Sequence, residues 1–163
     1  MNIFVLDENP KIAAQYHNNK HVVKMILDSA QIMSTVIRKQ FPDADVYKAT
    51  HKNHPCTLWA GESIYNLMWL YDLSVGLCNE YTLRYGKTHK TAAVIERCKM
   101  WFDKLSFNFN ELTPFALAMP DIYKSDSVVE SYRTYYLNDK KDILNYKNRE
   151  VPKWITDGCT RNI

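Results

Sequence analysis

The sequence predicts an all-α protein, a compact helical bundle around a central buried helix at about 57–85. Three observations carry that expectation. Only 4 residues of 163 are glycine and 6 are proline, too few turn formers for the hairpins of an all-β fold. Apolar residues recur at helical spacing, as in Val22, Ile26, Met33 and Ile37. The run over 57–85 is apolar nearly all round, as a helix enclosed by others has to be. Hydrophobic residues make up 46% and charged residues 24%, enough apolar matter for a core and too little charge for a disordered chain. The length fits one domain. With no repeat and no low-complexity linker, the expectation is a single helical domain over 1–163, on which a basic and aromatic segment, 138–163, packs.

Taken in order, Asn2-Ile3-Phe4-Val5-Leu6 reads as a short strand or an extended lead-in. Asn9 and Pro10 then open a helix, the first as cap and the second at the first helical position. The helical pattern continues over 11–39, with a break near Asn18-Asn19, and Phe41-Pro42-Asp43 ends it. Residues 44–56 show no periodicity and read as a loop. The helix over 57–85 stops at Gly86, suited to a left-handed cap. Another helix opens at Thr88 or His89 and runs to about Lys104. Residues 106–121 form a proline-broken loop. Ser127 and Glu130 fit a capping box for a helix through Tyr132 and Leu137. Beyond Asn138 the chain is basic and aromatic, and its last residues are expected to fray.

The four cysteines, Cys56, Cys78, Cys98 and Cys159, are widely spaced and form no CxxC pair. Reduced thiols and a cytoplasmic location are therefore the expectation, and nothing near Met1 resembles a secretory leader. The most apolar stretch, 58–83, contains Glu62, Asn66, Asp72 and Glu80, which argues against a membrane span. A formal net charge of +3 biases the chain mildly toward anionic partners.

Four constellations carry candidate chemistry. His17, His21, Lys24, Asp28 and Gln31 are spaced by four, three, four and three, so one continuous helix sets them on a single face, with Lys20 beside them. That face is either solvated surface or a ligand-facing stripe. His17 and His21 also have the spacing of a helical metal pair, but no glutamate lies between them and Lys20 and Lys24 would repel a cation. No metal and no cofactor is expected. The loop His51-Lys52-Asn53-His54-Pro55 precedes a helix and is placed either for turn chemistry or for holding phosphate. Arg84, Lys87, His89 and Lys90 crowd one helix junction, where backbone N–H groups favour an anion. Tyr132, Arg133 and Tyr136, with Tyr146 and Trp154, suit either stacking on bases or clamping a tail to the core. No Ser-His-Asp or Cys-His arrangement and no glycine-rich nucleotide loop is present. Taken together, the residues around positions 21, 54 and 89 are expected to meet at one anion-receiving cavity for nucleic acid or a small nucleotide.

Two stretches resemble a known family. Ile12-Ala13-Ala14-Gln15-Tyr16-His17 looks like the start of the first helix of the phage-type pyrimidine dimer DNA glycosylases, the UV-repair endonuclease V kind. Tyr132-Arg133-Thr134-Tyr135-Tyr136 looks like part of their aromatic C-terminal segment, and the whole is similar to small proteins of tailed phages. The resemblance implies an all-helical fold and N-glycosylase/lyase-like action on DNA. In that family an N-terminal amine, exposed by removal of methionine before a small residue, attacks the sugar carbon and forms a Schiff base. A glutamate late in the first helix assists. Here residue 2 is Asn2, whose bulk should leave Met1 in place, and Val22 and Val23 stand where the glutamate is expected. The family's pair is thus not matched residue by residue. Lys20 or Lys24 is then the expected nucleophile, near other cations, with Asp28 as the nearby carboxylate. The alternative is a scaffold that binds nucleotides, as a viral sequestering protein would, without cleaving them.

Overall fold

The computed structural model describes residues 1–160 and is all-α. Among them are seven α-helices: α1 Pro10–Tyr16, α2 Asn19–Gln40, α3 Pro55–Ala60, α4 Ile64–Tyr85, α5 Ala92–Lys99, α6 Val128–Asp139 and α7 Lys153–Thr160. Short 3-10 turns lie at Phe102–Lys104, Asp121–Tyr123 and Lys141–Ile143. No strand forms among the described residues, and the N-terminal apolar run is the extended lead-in. Ile3, Phe4, Val5 and Leu6 are each at most 3% exposed, so this segment fills the core rather than pairing.

Local chemistry sets most boundaries. The Asn9 side chain accepts the N–H groups of Lys11 and Ile12, and Pro10 begins α1 with its φ already helical. His17 adopts an extended backbone, and the Asn18 side chain then accepts the N–H of His21 to restart the helix as α2. Gly86 ends α4 at φ 70, which a side chain would make strained. Ser127 caps α6 through the N–H of Glu130.

Two helices differ from expectation. The run over 57–85 is two helices, α3 and α4, interrupted at Gly61–Ser63. Ser63 accepts the N–H of Asn66, and the Asn66 amide donates to the Trp59 carbonyl, which also accepts the Glu62 N–H at the end of α3. These side-chain bonds outcompete continuation of the apolar pattern. The helix expected from Thr88 starts only at Ala92, because the His89 ring accepts the N–H of Thr91 and closes a turn there.

α4 packs on α1 and α2, burying Leu67, Leu70, Leu73 and Leu77. Gly76 permits the closest approach: a Cβ there would lie 2.9 Å from the Cβ of Ala14 on α1. The segment after α6 folds back across the kink between α1 and α2. The Asn145 carbonyl accepts from the Asn19 N–H, the Tyr146 hydroxyl donates to the Tyr16 carbonyl, and Arg149 reaches Glu80 on α4. The final residues expected to fray, 161–163, lie outside the described residues.

Candidate active site

The lead-in runs along α2 in the reverse direction, with Phe4 stacked on His21 at 4.4 Å and Met1 beside Asp28, two turns further along α2. Its end is held firmly. The Asn2 amide donates to the Ala118 carbonyl, and the Asn2 Oδ1 accepts from the Ile3 N–H and the Tyr132 hydroxyl. The Met1 side chain is only 3% exposed, with the Thr57 hydroxyl pointing at its sulfur. Met1 as a whole is nonetheless only half-buried, so its exposure falls on the main chain.

The Met1 ammonium lies 3.7 Å from Asp28 Oδ2. Asp28 is 6% exposed, and this oxygen accepts no hydrogen bond within the protein. Opposite charges at that distance in a nearly dry site attract far more strongly than they would in water. His54 completes the group. Its Nδ1 accepts the N–H of Cys56, capping α3, and the Met1 ammonium lies near enough to the ring to act on its charge. Burial, then the nearby Met1 ammonium and His51, hold its pKa below the usual 6.5, opposed by Asp28.

The structure therefore gathers Asp28 and His54 around a group that no side-chain letter announces. Lys24 lies exposed on α2 one turn before Asp28, and Lys20 is exposed one turn earlier still. His51, at φ 47, and Asn53 are exposed on the loop before α3.

The other expected site residues lie elsewhere. His17 and His21 belong to the interior and not to a polar surface stripe, because the break at Asn18 takes His17 out of α2. The His17 Nδ1 bonds the Ala13 carbonyl at 2.6 Å, and burial lowers its pKa to about 4. The His21 Nδ1 meets the Tyr136 hydroxyl at 2.6 Å, and burial lowers its pKa to about 3. Arg84 is buried and donates to the Gln15 and His17 carbonyls. Tyr132 and Tyr136 are buried, and Arg133 donates to the Leu6 carbonyl and pairs with Asp7. Lys87 and Lys90 are exposed beyond α4, while His89 packs its ring edge-on to Tyr81.

A cleft of about 600 Å³ is lined among others by Arg38, Lys39, Lys52, Asn53, Thr57 and Phe107, and by none of Met1, Asp28 and His54. A second, of about 300 Å³, lies by Arg133 and Trp154. His21, His54 and His89 line neither.

The helical scaffold thus sets the N-terminal amine against a buried carboxylate. The chain belongs to the pyrimidine dimer DNA glycosylase family, whose model matches residues 1–93. The matched span holds Met1, Asp28 and His54, and α1 to α4 entire. No curated protein and no solved structure matches the chain. A DNA glycosylase-like function, with nucleic acid as the class of substrate, comes with that membership. No helix among the described residues is long and apolar enough to cross a membrane.

Proposed function

We propose that the chain is a DNA glycosylase with lyase-type chemistry whose nucleophile is the α-amine of Met1 and whose acid–base group is Asp28. One observation supports this above all: the ammonium faces a buried carboxylate oxygen at 3.7 Å that has no hydrogen bond of its own.

The Asp28 carboxylate takes a proton from the ammonium, and the freed nitrogen lone pair attacks C1′ of the damaged nucleotide. The C1′–N bond breaks and the base leaves with the bonding pair and a proton. Opening of the sugar ring then gives an imine between Met1 and C1′, with the ring oxygen leaving as the 4′-hydroxyl. Asp28 is placed to pass the protons back. Exposed Lys24 and Lys20 lie on the same helix, suited to backbone phosphates.

The test is borohydride trapping on duplex DNA carrying either an abasic site or a pyrimidine dimer. The expected product is one reduced adduct, mapped by peptide mass spectrometry to the Met1 nitrogen and absent when a residue is placed before Met1. No adduct on either substrate would overturn the reading. An adduct on Lys20 or Lys24 would transfer the chemistry to that lysine. A second reading, nucleotide binding without turnover, draws support from the 600 Å³ cleft with Arg38, Lys39 and Lys52 among its lining. A thermal-shift series with mono-, di- and cyclic nucleotides tests it through the stabilisation that a ligand of the folded state confers.

A further inference from the structure

We propose that Tyr132 is the positioning residue of the N-terminal amine: through Asn2 it fixes the main chain next to Met1, and so the line from the amine to Asp28. The inference rests on the Met1 amine being the nucleophile. Tyr132 lies on α6, outside the residues that the family model matches.

Its hydroxyl closes a small ring of hydrogen bonds. Tyr132 donates to the Ala116 carbonyl at 2.7 Å and shares that proton with Asn2 Oδ1 at 3.2 Å. It accepts the Ala118 N–H at 3.3 Å, and the Ala118 carbonyl accepts the Asn2 amide at 2.8 Å. Asn2 Oδ1 also accepts the Ile3 N–H at 2.8 Å. Asn2 and Tyr132 are both buried, so water competes little for these groups. The Tyr132 ring also meets Phe4 edge-on at 6.0 Å. One side chain therefore holds the lead-in at residue 2 and again at residue 4.

The amine stands one trans peptide unit from the gripped residue, about 3.8 Å between Cα atoms, so slack at Asn2 passes on to the nitrogen. A misplacement of about 1 Å at a reacting group can cost about a hundredfold in rate. Removing one hydroxyl should therefore be felt at an amine which that hydroxyl does not touch. Tyr136 supplies the contrast. It lies one turn along α6 and is equally buried, but its hydroxyl meets His21 Nδ1 at 2.6 Å and the Asn18 N–H at 3.4 Å, at the break between α1 and α2.

The experiment compares the full-length chain with Y132F, N2L, the double variant Y132F/N2L, and Y136F. Each phenylalanine keeps its ring, and leucine keeps the bulk at position 2 while making none of the hydrogen bonds. Urea unfolding establishes that each variant is folded. Borohydride trapping on abasic DNA gives a maximal rate and a half-saturating DNA concentration. Reductive methylation by formaldehyde and cyanoborohydride without DNA, followed by mass spectrometry, gives the reactivity of the Met1 α-amine. In Y132F the maximal trapping rate should fall about tenfold to a hundredfold, with half-saturation unchanged. Its Met1 should be methylated faster, because an amine drawn away from Asp28 loses the carboxylate that favours its charged form. N2L should do the same, and Y132F should add nothing further in the N2L background. Y136F should trap and methylate at wild-type rates. Equal slowing in Y132F and Y136F, or independent effects of Y132F and N2L, would overturn the proposal. Where Y132F fails to fold, N2L carries the test, and a wild-type trapping rate in N2L overturns it. If the wild type itself forms no adduct, the assigned reaction fails and methylation alone decides: a Met1 rate in Y132F no faster than in Y136F overturns the positioning role, and a faster one upholds it.

Discussion

On α4 the Glu80 carboxylate meets the Arg84 guanidinium one turn later at 3.0 Å, with neither side chain more than 5% exposed. Arg84 donates onward to the Gln15 and His17 carbonyls and to Asn19 Oδ1, so it satisfies the acceptors left open where α1 breaks from α2. Both Glu80 oxygens also accept from Arg149 of the C-terminal segment. One carboxylate thus joins the kink, the central helix and the tail. E80Q leaves a buried cation without its counter-charge and is expected to cost about 3–5 kcal/mol. R149A leaves the buried pair intact and removes a partly exposed partner, so about 1 kcal/mol or less is expected. Urea midpoints at unchanged m-value measure both. Equal losses would mean that the buried pair is not what holds the kink.

The contact of α1 with α4 depends on Gly76. A methyl there would sit 2.9 Å from the Ala14 Cβ, and both atoms belong to packed helices that cannot swing aside. G76A is expected to destabilise by about 1–3 kcal/mol through overpacking. Adding A14G should recover part of that loss, since it removes the atom in the way. A double-mutant cycle reads the coupling between them. Strict additivity of the two changes would show that the helices do not meet there.

Much of the fold was legible because helix ends are local. Asn9-Pro10, Asn18, Gly86 and Ser127 each act on N–H or C=O groups within four residues, and each ends or begins a helix where such chemistry says it should. Ser63 is a signal of the same kind, but it lies inside an apolar run whose pattern reads as continuous helix across the break between α3 and α4. The histidines of the first helical region read differently for a non-local reason. Whether His21 is solvated or buried depends on Phe4 and on Tyr136, which is 115 positions away. Asp28 and His54 were visible as candidates, but not what joins them. The Met1 amine is a main-chain group, and its approach to Asp28 follows from the path of the lead-in along α2.

His17 and His21 make stability depend on pH. Burial is the main cause of both depressed values, about 4 and about 3, against 6.5 for a free ring. Above pH 6.5 neither the folded nor the unfolded chain binds these protons, so the rings exert no pH effect. Below 6.5 the unfolded chain takes up protons that the folded chain refuses, and stability falls with falling pH. The loss ends only below about pH 3, once the folded rings are also charged. Each ring contributes a slope of about 1.4 kcal/mol per pH unit within its window. Urea unfolding from pH 7 to 4 should show that decline, and H21F, which keeps a ring against Phe4, should flatten it by about half. A wild-type stability that is level across this range would contradict neutral, buried rings.

Asp28 supplies the sharpest test of the reaction itself. D28N keeps the shape of the side chain but removes both the negative charge facing the Met1 ammonium and the capacity to take its proton. The fold should survive, because Asn has the size of Asp and no hydrogen bond to Oδ2 is there to be lost. Trapping should not survive at its wild-type rate. Loss of a positioned acid–base group typically costs about a hundredfold to ten-thousandfold, and a drop of about a hundredfold in adduct formation on abasic DNA is expected. K24A serves as the comparison: it removes an exposed cation one turn away, so it should weaken DNA binding and make that binding less sensitive to salt, with the trapping rate at saturating DNA nearly unchanged. If instead D28N traps at full rate while K24A does not, the nucleophile is the lysine and the amine–carboxylate pair is only an N-terminal anchor.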